Sequence, residues 1–175
     1  YCNTHKLEVD ESLLYPEDLN RFQPDKDNPT YIALNDKDEI IGVASLFMDE
    51  YYRKGKRGRF RIFHSVIDDS IIYKSLFEKI LDHINGLEYL NVFLPIDNSI
   101  LRNQLEHLNF IIERYSFYLE KDNKQINDYS FPENYYVKPF EIGKDESTWC
   151  MTRNTSFKNL KGSETPITEE MVKDM

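Results

Sequence analysis

A mixed α/β sheet is the fold class the sequence predicts, with antiparallel strands early and strand–helix–strand crossovers later. Three observations carry it. Two β-rich runs, Thr30–Leu34 and Ile40–Phe47, flank a polar turn, Asn35 to Glu39, which is the pattern of a hairpin. Apolar residues then recur every four positions at Ile72, Leu76, Ile80 and Ile84, which places them on one helical face. The segment Leu87 to Leu94, nearly all apolar on one alternation, follows that helix and reads as a central strand.

The elements follow in order. Before the hairpin the chain is polar and punctuated by Pro16, Pro24 and Pro29, and Pro16 suits the first turn of a short helix. After the hairpin comes a basic stretch of Arg53, Lys54, Lys56, Arg57, Arg59 and Arg61, leading into a third strand at Phe60 to Val66. Asp69 or Ser70 caps the first long helix, and Asn85-Gly86 stops it. Pro95 closes the fourth strand. Asn98 or Ser99 caps a second helix carrying Ile100, Leu101, Leu105 and Leu108. Asn109 suits the left-handed position that ends a helix, and Phe110 to Leu119 reads as a fifth strand. The polar stretch from Asp122 to Asn134 reads as a linker. A new strand at Tyr135 to Phe140 and two helices, Thr148 to Leu160 and Thr168 to Met175, come after it.

The chain of 175 residues is long enough for one core of ordinary size. It starts at Tyr1 and ends inside a helical pattern, so both ends read as trimmed. A formal net charge of -9 repels nucleic acid and anionic lipid in bulk, and neither is an expected partner. No apolar run approaches the roughly 20 residues of a membrane span. Cys2 and Cys150 sit in no metal-type spacing and the four histidines are scattered, so no structural metal is expected. With neither a disulfide framework nor a signal segment, the expected address is cytoplasmic.

The helix and strand after Pro95 carry a resemblance. Asn98, Leu101, Leu105, Asn109 and Phe110 stand at the spacings of a motif of the GCN5-related N-acetyltransferase (GNAT) family, in which an Asn, a small residue, a Tyr and a Gly-Phe pair recur. Leu105 replaces the Tyr and Asn109 the Gly. The resemblance covers roughly Thr30 to Asp122. It implies the mixed central sheet of the acyl-coenzyme A N-acyltransferase type, acetyl-coenzyme A as co-substrate, and transfer of its acetyl group to a primary amine on a small molecule or peptide. It also implies that the third and fourth strands splay apart. The pantetheine arm would lie in the gap against Ser65, Val66 and Ile67, with Ser70 and Asn98 at the flanking helix starts. A backbone N–H there would polarise the thioester oxygen.

The family's second signature, approximately Arg/Gln-x-x-Gly-x-Gly/Ala, is a loop whose inward N–H groups and helix dipole hold a pyrophosphate. Here that stretch begins Val66-Ile67-Asp68-Asp69-Ser70 and holds neither glycine nor arginine. Tyr135 to Phe140, with Trp149, Asn154, Phe157, Gly162 and Pro166 to Glu169, resembles the opening of a second such unit. The expected organisation is therefore a GNAT-like domain at 1–122, a linker at 123–134 and the start of a second unit at 135–175. In that organisation the second unit carries the chemistry, and the first packs against it or in a homodimer. The alternative is a catalytically degenerate domain that buttresses or binds a partner.

Several residues keep two readings. His64 is a general base or a hydrogen-bonded structural residue. Arg53 to Arg61 bind the 3′-phosphate of coenzyme A or form a solvated hairpin loop. Asp68 and Asp69 form a carboxylate pair for base work or cap a helix. Trp149 and Phe157 line a pocket or belong to a core. Cys150 would need a neighbouring base to act as a nucleophile.

Overall fold

The computed structural model describes residues 1–10, 13–117, 119–122 and 130–173. The part of the expected linker at 123–129 and the end of the last expected helix, Asp174 and Met175, lie outside the described residues. The chain divides into two compact units, Tyr1–Ile111 and Ile112–Met175. No described helix is long and apolar enough to cross a membrane.

The first unit is built on a four-stranded sheet of order β1-β2-β3-β4: β1 Thr30–Leu34, β2 Ile40–Phe47, β3 Arg57–Ser65 and β4 Tyr89–Asn91. A short helix α1, Pro16–Arg21, precedes β1, and another, α2, Glu50–Lys54, joins β2 to β3. The β1–β2 and β2–β3 pairs are antiparallel and β3–β4 is parallel. The crossover to β4 is α3, Ser70–Leu81, and α4, Ser99–His107, follows β4.

The helix boundaries have local causes. The Asp69 carboxylate accepts from the Ile71 N–H at 2.8 Å, and the Asn98 side chain accepts from the Leu101 N–H at 3.0 Å. Past α4, Asn109 takes a left-handed φ of 65°. Its N–H bonds the Glu106 carbonyl and the Phe110 N–H bonds the Leu105 carbonyl, both at 2.9 Å, which makes a Schellman closure. Asn109 thus takes the left-handed closing position that the sequence predicts for it.

Two apolar clusters are distinguished. The larger joins Ala44, Leu46, Phe60 and Phe63 of the sheet to Tyr73, Leu76 and Ile80 of α3 and Leu101 and Leu105 of α4. Gly42 lets α3 approach, since a Cβ there would meet Ile72 and Leu76 side-chain carbons at 3.2 Å. The smaller joins Val43 and Ile62 to Val9 and Leu13, with Leu14, Leu19 and Phe22 packed against it.

Several expected strand bounds are corrected, and the buried face of β1 is set by the structure. Ile32 and Leu34 are exposed, and β1 turns Tyr31 and Ala33 to the larger cluster instead. Both sets alternate along a short apolar strand, so its own pattern leaves the phase undecided. Val66 lies past the end of β3 and is half exposed. The fourth strand is only Tyr89–Asn91, not the whole apolar run, because its pairing to β3 stops at Arg59. The expected fifth strand is absent among the described residues: 110–117 and 119 carry no ladder, and Ile111, Tyr115, Phe117 and Leu119 are exposed.

In the second unit the helices are α5, Glu146–Phe157, and α6, Glu169–Lys173. Asn154 ties them, donating to the Ile167 carbonyl and accepting from its N–H, both at 2.9 Å. The expected strand at 135–140 does not form, because no described segment of this unit is a strand that could pair with it; Tyr135, Tyr136 and Val137 are exposed. Trp149 and Phe157 are not core: Trp149 is half exposed beside Lys138, Phe140 and Thr152, and Phe157 lies under the Arg153 guanidinium at 5.2 Å.

Leu76 is 4% exposed at the centre of the larger cluster. Leu76→Ala should therefore cost about 2 to 5 kcal/mol in denaturant unfolding, against less than about 0.5 kcal/mol for exposed Ile71→Ala. Equal costs at the two positions would contradict the packing of α3.

Candidate functional site

β3 and β4 are paired only at Arg57 with Tyr89, Gly58 with Leu90 and Arg59 with Asn91. From Phe60 to Ser65 the β4-side edge of β3 is left open by its partner. The chain's own N-terminal segment takes part of that edge. Val9 bridges Ile62 in the antiparallel sense, while Ile62 keeps Ser45 of β2 on its other side. The Asp10 N–H donates to the Arg61 carbonyl at 2.6 Å, and the Asp10 carboxylate meets Arg59 at 2.8 Å.

His64 and Asn98 converge on this segment, and Ser65 does not. A 3₁₀ turn at Lys6–Glu8 brings His5 and Glu8 beside His64. The Asn98 amide donates to Glu8 at 3.4 Å while its oxygen caps α4. The Tyr1 hydroxyl lies 2.8 Å from His64 Nδ1 and 3.3 Å from the His64 carbonyl. The imidazoles of His5 and His64 have centroids 4.8 Å apart. Burial pushes the His64 pKa down, Glu8 opposes this and His5 adds to it. Burial also pushes the Tyr1 hydroxyl far up, so it stays protonated.

The backbone donors beyond His64 are engaged within the protein. The Ser65 N–H bonds the Tyr73 hydroxyl at 3.1 Å, the Val66 N–H bonds the Ile41 carbonyl at 2.9 Å, and the Ile67 N–H bonds Ser65 Oγ at 3.1 Å. Ser65 Oγ itself donates to the Ile41 carbonyl. Asp69 spends its carboxylate on the α3 cap, next to Ser70, the first residue of that helix. Asp68 accepts from the Gln104 amide at 2.6 Å, which binds the loop to α4. Both carboxylates thus have structural partners. Leu105, at the motif's Tyr position, is buried in the larger cluster and supplies no proton.

The basic stretch is neither a loop nor an open cationic patch. Arg53 pairs with Asp27 at 3.1 Å and Lys56 with Glu88 at 2.5 Å. Arg57 is buried near the rings of Tyr51 and Tyr52, and Arg61 stands 4.1 Å over Phe47. Cationic heads against π-faces, with aliphatic stems on apolar surface, explain how so basic a segment enters a sheet. Cys150 is buried in α5.

Sequence reasoning missed His5 and Glu8. Their spacing of three is visible, but nothing local joins them to His64 on β3; the β-bridge through Val9 does that.

No family model matches the chain, and no curated protein matches it. A solved crystal structure described as that of a probable acetyltransferase is similar at 18% sequence identity, over 63% of this chain and 82% of that one, with a TM-score of 0.45.

His64 facing Glu8, His5 and Tyr1 gives a pH expectation for metal-free protein. Its folded pKa lies below the unfolded value of about 6.5, so the unfolded state takes up the proton first. Its contribution is intact above pH about 6.5 and is lost as pH falls through the folded pKa. Denaturant unfolding at successive pH values should show a steeper acid loss for the native chain than for His64→Gln. Parallel profiles would remove His64 from the account.

Proposed function

We propose that the first unit is an acyltransferase-type fold of a protein that transfers an acetyl group from acetyl-coenzyme A to a primary amine. The amine belongs to a small molecule or peptide. The observation that supports this reading is the β3–α3–β4 crossover, whose parallel strands part after three paired positions. Parting strands leave main-chain groups and a gap between β3 and β4, which is where an extended thioester arm can be gripped. Main-chain N–H groups at the mouth of that gap polarise the carbonyl, and the amine attacks as the free base.

A second reading, that this unit is a degenerate GNAT-like domain, is favoured by a specific observation. Val9 covers Ile62 on the open edge, the N–H groups of Ser65, Val66 and Ile67 are engaged internally, and two carboxylates stand at the start of α3. An incoming pyrophosphate would meet Asp68 and Asp69 as like charges. The two readings combine when the chemistry is carried by a second unit, with the first as its packing partner or as half of a homodimer.

Calorimetric titration of the full chain with acetyl-coenzyme A tests this. The expected Kd is about 0.1 mM or weaker. Asp68→Asn with Asp69→Gly removes both charges, keeps an acceptor for Gln104 and costs only a few tenths of a kcal/mol in capping. That variant should bind tighter than the native chain. Micromolar binding by the native chain would make the first unit the catalytic candidate. Failure of both proteins to bind at millimolar cofactor would remove the acetyl-coenzyme A reading from this unit.

A further inference from the structure

We propose that His5, Glu8 and His64 form a binding site for one divalent transition-metal ion, with zinc as the best match to the donor set. One ligand atom from each residue lies within 4.8 Å of the other two. Around a tetrahedral zinc with bonds of about 2.0 to 2.1 Å, ligand atoms sit about 3.4 Å apart. Closing from the observed spread needs side-chain rotation, not movement of the sheet. Two borderline imidazoles beside a single hard carboxylate suit Zn²⁺, Co²⁺ or Ni²⁺ rather than Mg²⁺ or Ca²⁺, which take mainly oxygen donors.

The fold builds this site from two rigid pieces. His5 precedes and Glu8 ends a single 3₁₀ turn closed by the Glu8 N–H to the His5 carbonyl at 3.1 Å, so the two side chains stand one turn apart. His64 is fixed by its place in β3, opposite Val43 of β2. The bridge from Val9 to Ile62 holds the turn against the strand. All three residues are half-buried, so the donors are shielded yet reachable.

The surrounding groups orient the donors as outer-shell partners do. Tyr1 has one hydroxyl proton. When it is donated to the His64 carbonyl, the same oxygen accepts from Nδ1–H, and Nε2 is left with its lone pair for a metal. The Asn98 amide holds Glu8. Packing alone accounts for the ring contacts, but not for a carboxylate and two imidazoles converging at their donor atoms.

Titration of the metal-stripped full chain with Zn²⁺, followed by calorimetry and by Co²⁺ ligand-field absorption, tests the site. One ion per chain is expected with a Kd of about 10 µM or tighter, together with a rise in Tm on saturation. His5→Ala and Glu8→Gln should each weaken binding by about tenfold or more, and Tyr1→Phe by a smaller factor. Cys2→Ser and His83→Ala should leave binding unchanged. His5 and Glu8 lie outside the sheet, so these variants carry the test even where His64→Ala fails to fold; melting of each metal-free variant checks that they fold. Absence of saturable binding, or unchanged stoichiometry and affinity in the folded His5→Ala/Glu8→Gln double variant, would overturn the proposal.

Discussion

The edge of β3 that β4 abandons after Arg59 is the constraint on which the first unit turns. A strand in the middle of a sheet cannot leave its N–H and C=O groups dry and unpaired without losing about a hydrogen bond's worth of free energy at each. The chain answers at Ile62 and Arg61 with Val9 and Asp10. That answer draws in the rest of the N-terminal region. Once Val9 is bound, Leu13, Leu14, Leu19 and Phe22 gather on the same face of the sheet, and His5, Glu8 and Tyr1 are carried to His64.

The same edge governs the electrostatics. Arg59 finds Asp10 because Asp10 is delivered by the bridge. Arg57 and Arg61 find aromatic faces supplied by α2 and by the end of β2. An acidic protein thus consumes much of its densest basic run internally. A polyanion approaching this surface meets paired or π-bound guanidinium groups, not an electrostatic funnel. Basic character in the sequence and basic character on the surface are separate properties here, and strand pairing separates them.

The legible part of the fold was the part decided by local chemistry. The hairpin, the four-residue apolar spacing of α3, the Asp69 and Asn98 caps and the left-handed Asn109 all follow from neighbours within a few residues. What could not be read depends on distant partners. Whether Ile32 or Tyr31 faces the core is set by what covers each side of β1, not by the strand itself. The run from Leu87 to Leu94 has the composition of a long strand, but strand length is set by its neighbour. The site divides the same way: Asn98 was in view from the motif, Ser65 from the resemblance and His64 from its place on an apolar strand, while His5 and Glu8 needed a bridge that no spacing reveals.

Asp68 and Asp69 stand at the start of α3 and use their carboxylates within the fold. A glycine loop at the start of α3 would leave the helix's N–H groups turned outward for an anion. Asp69 instead turns its own carboxylate onto Ile71, so the helix start is satisfied from within. Asp68 goes to Gln104, a buried residue of α4, and ties together the two helices that flank the gap. The anion such a helix start attracts is therefore already present as a side chain, covalently attached and at high effective concentration. A free pyrophosphate would have to displace it and also meet the charge of its neighbour. Asp68 and Asp69 therefore brace the fold, one as a tie to α4 and the other as a helix cap.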